Sequence, residues 1–390
     1  VDKSVVNPDA HELQPADAAD MTQTKNDRAS SDNATIGDVL AERLFLAGIG
    51  AAELLTIHLG IELGLYEALA GGDGLTPAEL AAVAGIDERY AREWLEQQAV
   101  ASILDADDVS LPANQRRYKL PSDHYDVLLA PNSLRFSAPM SSFIVSFASV
   151  LDKLAEAFRT GGGIPYHDYG AAMREGQGAF NRPFFTNVLT QDWLPNALPE
   201  LNRRLSTAPP ARVADIGCGV GFSSICLARA YPLCVVDGFD SDAASIQEAN
   251  AYARAAGVAD RVQFQVHNAA DPATKQYDAV FIFEALHDMS QPVAALTAAR
   301  QVLKAGGVCV IMDEKVADEF TAPGDEVERF MFAASVLHCL PVGLASQPSA
   351  GTGTMLRRSI LERYATEAGF TSVTTLAVEH DFFRLYRLEP

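Results

Sequence analysis

The sequence predicts an α/β protein: a doubly wound, largely parallel sheet preceded by a smaller α-helical domain of winged-helix type. Three observations point there. From Ala211 onward, short apolar runs alternate with helical stretches, the pattern of successive βαβ units. The first run leads into Asp215-Ile-Gly217-Cys218-Gly219-Val-Gly221, a glycine string suited to a ligand-binding turn between strand and helix. Upstream, helix, turn, helix and two short strands follow one another between Leu75 and Leu120.

Composition narrows the function classes. The 390 residues include 51 Asp and Glu against 30 Lys and Arg, a formal net charge of −21. With 48% hydrophobic and 21% charged residues, the chain reads as globular, with length for about two domains. So acidic a surface repels nucleic acid and anionic membrane unless a local basic patch intervenes. Cys218, Cys226, Cys234, Cys309 and Cys339 are odd in number and form no CxxC, so free thiols in a reducing cytoplasm are expected. No signal-peptide pattern is present. The most apolar region, Leu44 to Ala70, is broken by Glu53, His58, Glu62 and Glu67. Its uncharged runs fall short of the ~20 residues that span a bilayer, so no membrane partner is expected.

Residues 1–35, polar and without apolar period, read as a disordered tail. A dimerisation domain is expected over residues 36–125. Asp38 reads as the cap of a helix carrying Leu40, Leu44, Phe45 and Leu46. A second stretch, Leu54 to Leu69, is apolar on more than one face and suits a subunit interface, hence a homodimer. Thr76-Pro77-Ala78-Glu79 has the residues of a capping box, and a second helix follows from Asp87 through Leu95. Ala101 to Leu104 and Tyr118 to Leu120 read as the strands of a wing. Between Asp73 and Asp108, nine acids stand against Arg89 and Arg92, a net charge of −7. Phosphates would meet the wrong sign there, which favours a structural or dimerising role over DNA recognition.

Residues 126–205 form a helical connector or lid. Within it Gly161-Gly-Gly-Ile-Pro-Tyr166-His-Asp-Tyr169 suits a loop over a pocket, with Tyr166 and Tyr169 as substrate contacts. Residues 206–390 carry the sheet. Strands are expected at Arg212–Ile216, Leu233–Val236, Val262–Val266, Tyr277–Phe283 and Val308–Met312, then at 373–378 and 382–388 as an outer pair. Asp240-Ser241 follows the second of these strands and Asn268-Ala269 the third. The string lacks the glycine at Phe222 that a dinucleotide fingerprint requires. Its spacing suits a compact aminocarboxylate and ribose rather than a pyrophosphate.

The stretch Val213-Ala-Asp-Ile-Gly-Cys-Gly-Val-Gly221 resembles the first motif of class I S-adenosylmethionine-dependent methyltransferases. Asp240, Asn268-Ala269 and the turn Leu303-Lys-Ala-Gly-Gly307 fall in the same order as that family's later motifs. The resemblance implies a Rossmann-like seven-stranded sheet and S-adenosyl-L-methionine as cofactor. It also implies cofactor contacts from Asp215, Gly217, Cys218, Gly219, Gly221, Asp240, Ser241, Asn268, Ala269 and Glu284. With its winged-helix front, the chain is similar to bacterial small-molecule O-methyltransferases, in which the front domain usually dimerises.

Leu286-His287-Asp288 resembles the motif in which those enzymes carry their general base, although Met289 stands where Trp usually follows. His287 is thus the catalytic candidate, with Asp313 and Glu314 placed to orient it. His380, in the turn between the last two strands, is a second base or substrate contact. Met331 and His338, on an apolar helix over 327–344, are candidate pocket walls. Neither a HExxH nor a Cys–His metal spacing occurs, and no metal is expected. The expected reaction is methyl transfer to a hydroxyl or acidic carbon of an apolar or aromatic small molecule. The rivals are a cofactor-sensing transcription regulator, or the same fold running a non-methylating reaction.

Overall fold

The computed structural model describes residues 35–271 and 273–390. The expected tail falls almost wholly on residues 1–34, outside the described residues. The chain divides into two compact units at Ala52 and Glu53, within its first helix. That helix, Ile36–Glu62, is continuous where two stretches were expected. Thr35 caps it instead of Asp38: the Thr35 hydroxyl oxygen accepts the Asp38 N–H at 3.2 Å, and the Thr35 N–H donates back to Asp38 Oδ2 at 2.9 Å. By length and composition it is able to cross a membrane, as is the stretch Glu326–Leu344.

The winged-helix domain forms as its punctuation predicts. Thr76 and Glu79 make a reciprocal capping box around helix Pro77–Ala84, and Gly85 ends that helix with φ +67°. Asp87 caps helix Glu88–Val100 by accepting the Arg89 and Tyr90 N–H groups. The first wing strand is displaced, however. Ala101 to Leu104 form a turn in which the Ile103 and Leu104 N–H groups both reach back to the Gln98 carbonyl. Pairing starts only at β1 (Asp105–Ala106), which lies antiparallel to β2 (Tyr118–Lys119).

Most of the expected connector, residues 126–205, is helical, with helices Pro139–Ser149 and Gly170–Phe184 packed together. The second of these continues as widened π turns over Phe185–Trp193, and similar turns occupy Ser335–Cys339. Such turns often mark functional sites.

The sheet has seven strands in the order β5-β4-β3-β6-β7-β9-β8. These are β3 (Arg212–Ile216), β4 (Val235–Asp240), β5 (Val262–Val266), β6 (Tyr277–Phe283), β7 (Leu303–Glu314), β8 (Ser372–Thr375) and β9 (Phe383–Glu389). The first five are parallel; β9 runs antiparallel to both β7 and β8. One face packs on the turns Phe185–Trp193 and on helices Pro199–Ser206, Phe222–Ala230 and Ala243–Ala255. The other packs on helices Pro292–Gln301 and Arg358–Glu367. Burial on both faces explains why Val280, Phe281 and Ile282 are consecutive and apolar. Strand order reverses between β3 and β6, which places the ligand crevice at their carboxyl ends.

Candidate active site

The turn after β3 holds Gly217, Gly219 and Gly221 at positive φ. A Cβ on Gly217 would collide with Ala285, and one on Gly221 with Phe264; one on Gly219 would meet nothing within 4 Å. Two of the glycines therefore serve packing, and the middle one leaves the turn open to a ligand. The Gly219 N–H donates to Asp240 Oδ2 at 2.8 Å, and the Asp242 N–H donates to Asp240 Oδ1 at 2.8 Å. The ends of β3 and β4 are thus tied together around one carboxylate.

Two clefts flank this turn. One, of about 390 Å³, is lined by Gly217, Gly219, Phe239, Asp240, Ser241, His267, Asn268, Ala269 and Met289. The other, of about 60 Å³, lies between the turn and helix Gly170–Phe184, against Arg174, Asn181, Gly217, Cys218, Gly219 and Gly221. Most of the expected cofactor contacts are therefore brought together.

Asp215 is the exception. It lines neither cleft, is 1% exposed, and accepts the Ser223 and Ser224 hydroxyls on Oδ2. Burial raises its pKa to about 6, against the opposing pull of those hydroxyls. Through Oδ2 it anchors the start of the following helix, while Oδ1 is buried without a hydrogen-bond partner.

A chamber of about 810 Å³ adjoins the clefts. Phe136, Phe143, Phe147, Phe180, Phe184, Phe330, Phe382 and Phe383 line it, with Met140, Met173 and Met331. Polar lining comes from Glu284, Glu314, His338, Thr354 and His380. Met331, His338 and His380 are therefore on the chamber wall, as expected. Tyr166 lines the clefts instead, and its hydroxyl donates to Gln177 Oε1 at 3.3 Å. Tyr169 lines neither the clefts nor the chamber: its hydroxyl donates to the Leu337 carbonyl at 2.9 Å and its ring packs edge-on against His338. The loop carrying both tyrosines is pinned down at Ile164, whose N–H donates to the Pro341 carbonyl.

Glu284 and Gln177 line both clefts and the chamber. Glu284 closes β6 with φ +47°, a left-handed conformation uncommon for a residue other than glycine. Asn181 Nδ2 donates to Glu284 Oε2, while Asn181 Oδ1 is buried without a partner. Burial lifts the Glu284 pKa to about 7, opposed by the Asn181 hydrogen bond and by His287. Arg174, Gln177 and Asn181 had no motif to announce them. Their spacing along one helix, at i, i+3 and i+7, is the signal that finds them.

His287 occupies a different place from the one its motif suggested. It is 2% exposed and lines neither the clefts nor the chamber. Nδ1 bonds to Asp313 Oδ1 at 2.9 Å and lies 3.2 Å from Glu314 Oε2; Nε2 lies 3.3 Å from Asp288 Oδ1. Burial disfavours its charge, but Asp313, Glu314 and Asp288 outweigh burial and raise its pKa well above the usual range. Both ring nitrogens thus face carboxylates, Nδ1 toward Asp313 and Glu314 and Nε2 toward Asp288. His287, Asp313 and Glu314 also bring ligand atoms within 4.8 Å of one another, a grouping that the linear spacing gave no sign of.

His380, on the chamber wall, has its Nδ1 already engaged. Its Nδ1 accepts the Phe382 and Phe383 N–H groups at 3.1 and 3.2 Å, which leaves the proton of the neutral ring on Nε2.

Comparison with known proteins adds to this geometry. Residues 209–341 match the family model of a methyltransferase domain, and residues 51–129 that of a Rv2258c-like winged HTH domain. The chain is 30% identical over 135 residues to a ubiquinone biosynthesis O-methyltransferase of a Ruegeria species, covering 34% of this chain and 54% of that protein. It thus spans about half the length of that curated relative. Among solved structures, it is similar to an O-methyltransferase family protein from Burkholderia thailandensis. The TM-score is 0.62 at 16% identity, covering 92% of this chain and 98% of that one. Human N-acetylserotonin methyltransferase, solved in complex with S-adenosylmethionine, gives a TM-score of 0.61 at 16% identity, covering 92% and 99% of the two chains. At such identities these likenesses establish the fold.

Proposed function

Residues 209–341 being a methyltransferase domain behind a winged HTH domain, we propose that the chain is an S-adenosylmethionine-dependent O-methyltransferase acting on an apolar small molecule. The observation that carries this reading is the junction at Glu284 and Gln177, where both ligand clefts open onto the apolar chamber. When bound, the cofactor supplies a sulfonium-activated methyl group.

The residues present fit it. Asp240 offers a carboxylate to ribose hydroxyls, and Asn268-Ala269 line the part of the larger cleft that suits an adenine edge. Arg174 and the amino end of helix Phe222–Ala230 suit a carboxylate in the smaller cleft. The unpartnered Asn181 Oδ1 suits an ammonium. Gly219 provides open space where a side chain would intrude.

Glu284 takes the proton of the acceptor hydroxyl, because it is the carboxylate that faces both clefts and chamber and its pKa lies near neutrality. Asp313, Glu314 and Asp288 favour the charged form of His287, which lies behind Glu284 rather than on the cavity wall. Aromatic walls position the acceptor and exclude water, which supplies much of the acceleration in a transfer from an already activated donor. The exposed apolar helix Ile36–Glu62 supports a homodimer, and the five free thiols support a reducing cytoplasm.

Calorimetry with S-adenosylhomocysteine tests the cofactor assignment. Micromolar binding is expected, and Asp240→Ala should weaken it by about 10- to 100-fold, the loss of charge-assisted hydrogen bonds. No binding to the unsubstituted chain would overturn the proposal.

A further inference from the structure

A separate cavity, of about 550 Å³, is lined from segment 182–191, helix Phe222–Ala230 and the end of helix Ala243–Ala255. It shares only Phe222 with the cofactor clefts and no residue with the chamber. In a chain of formal net charge −21, its wall has the opposite sign. Arg182 and Arg229 line it and, among the described residues, no Asp or Glu does. Neither arginine makes an ion pair with a described carboxylate. Arg174, two turns earlier on the helix that carries Arg182, is by contrast paired with Glu248 at 3.2 Å. Arg182 uses Nε alone, donating to Asn132 Oδ1 at 2.8 Å, and Arg229 reaches only the Ala256 carbonyl, through Nη2 at 3.4 Å. Both Nη groups of Arg182, with Nε and Nη1 of Arg229, are left to donate to a ligand.

The two charges act on one place. Burial raises the pKa of Cys226, a half-buried thiol on the cavity wall, against the pull of the Thr186 hydroxyl, Arg229 and Arg182. Both guanidiniums are therefore within electrostatic reach of the same lining atom. Beside them the wall is aromatic. Phe222 and Tyr252 stack with centroids 5.1 Å apart and planes at 26°, and Arg182 lies over the Phe222 ring at 5.2 Å. Tyr252 is 39% exposed, so its ring has surface left to cover.

We propose that this cavity is a second ligand site, for a small aromatic carboxylate. The carboxylate oxygens accept from the free N–H groups of Arg182 and Arg229, a planar match that guanidinium makes well. The ring of the ligand extends the stack of Phe222 and Tyr252. The volume falls within the usual range of small-molecule sites. Neither arginine lines the cofactor clefts or the chamber, so the site stands independently of the methyltransferase reading.

Naphthoate, its neutral analogue naphthamide and inorganic phosphate test this on the full chain, at moderate salt in a buffer free of other carboxylates. By calorimetry, Arg229→Gln should weaken naphthoate at least about tenfold, the scale of one charge-assisted hydrogen bond, and leave naphthamide within about threefold. Arg229 makes a single long hydrogen bond, so its replacement disturbs little of the fold. Cys226 places the ligand, because the other four cysteines are buried. Naphthoate should slow alkylation of Cys226 by iodoacetamide, read by mass spectrometry at about pH 8, where part of the thiol is ionised. Phosphate at the same concentration should protect it less, since it lacks the ring. Absence of naphthoate binding, an affinity unchanged in Arg229→Gln, or labelling of Cys226 unaffected by naphthoate overturns the site. Protection by phosphate equal to that by naphthoate overturns the aromatic class. If Arg229→Gln fails to fold, protection of Cys226 in the unsubstituted chain decides; if Cys226 resists labelling, the calorimetry does.

Discussion

Glu284 combines burial, a left-handed backbone and a charge that burial resists, three features rarely kept together without a task. Burial raises its pKa to about 7, while the Asn181 donor and the His287 charge hold it from rising further. A base must be ionised to accept a proton, so kcat/KM should climb as pH rises through about 7 and level off above it. Asn181→Leu removes a contribution that lowers the pKa, so the midpoint should move to higher pH. Glu284→Gln should cut turnover by about 10²-fold or more and abolish the limb. The profile is followed as S-adenosylhomocysteine release with a hydroxynaphthalene as acceptor; an unmoved midpoint in Asn181→Leu would sink the assignment. The glycine turn, Asp240 and Asn268 were legible in the sequence because each sits a fixed step beyond a strand. Asn181 and Gln177 were not, since they reach the same point from a helix about a hundred residues earlier in the chain. His287 shows the opposite case: its motif was readable, but whether its nitrogens face a cavity depends on packing between β6, β7 and the helical segment that carries Cys339.

At the scale of elements, the winged helix separates shape from function. Its capping box, αL glycine and Asp87 cap are local features, each set by near neighbours in the chain, which is why they are legible in the sequence. The first wing strand was misplaced because the turn after helix Glu88–Val100 is held by backbone bonds to Gln98 that no side-chain pattern announces. The charge count gains a structural reason. Arg89 pairs with Glu93, Arg116 with Glu96 and Arg117 with Glu79, so three bases of this domain are already engaged by its own acids. Phosphate contacts would have to break those pairs and bring DNA against the unpaired acids that remain. A gel-shift titration of the full chain against random duplex DNA should therefore show no complex at micromolar protein in 150 mM salt. A complex surviving at that salt would reopen the regulator reading.

At the scale of the whole molecule, helix Ile36–Glu62 is the feature that an isolated chain accommodates least well. Leu44, Phe45 and Leu46 are 61, 70 and 59% exposed, and Val39, Leu40, Leu55 and Leu59 are exposed as well. At 1.5 Å per residue the helix runs about 40 Å, long enough to supply much of the roughly 800 Å² per partner that a stable interface buries. A second copy of the chain suits this surface, since a self-complementary apolar face closes on itself under twofold symmetry. The same length and apolarity would also allow the helix to enter a bilayer, so the two occupants must be separated by measurement. Sedimentation velocity of the full chain at micromolar concentration should give a single species of twice the 41.8 kDa chain mass. Leu44→Glu with Phe45→Glu should shift it toward the monomer while leaving S-adenosylhomocysteine affinity unchanged, because neither residue lies in the cofactor clefts. A monomer at all concentrations, or flotation of the protein with neutral phosphatidylcholine vesicles, would overturn the dimer. Flotation would assign the helix to the lipid surface instead.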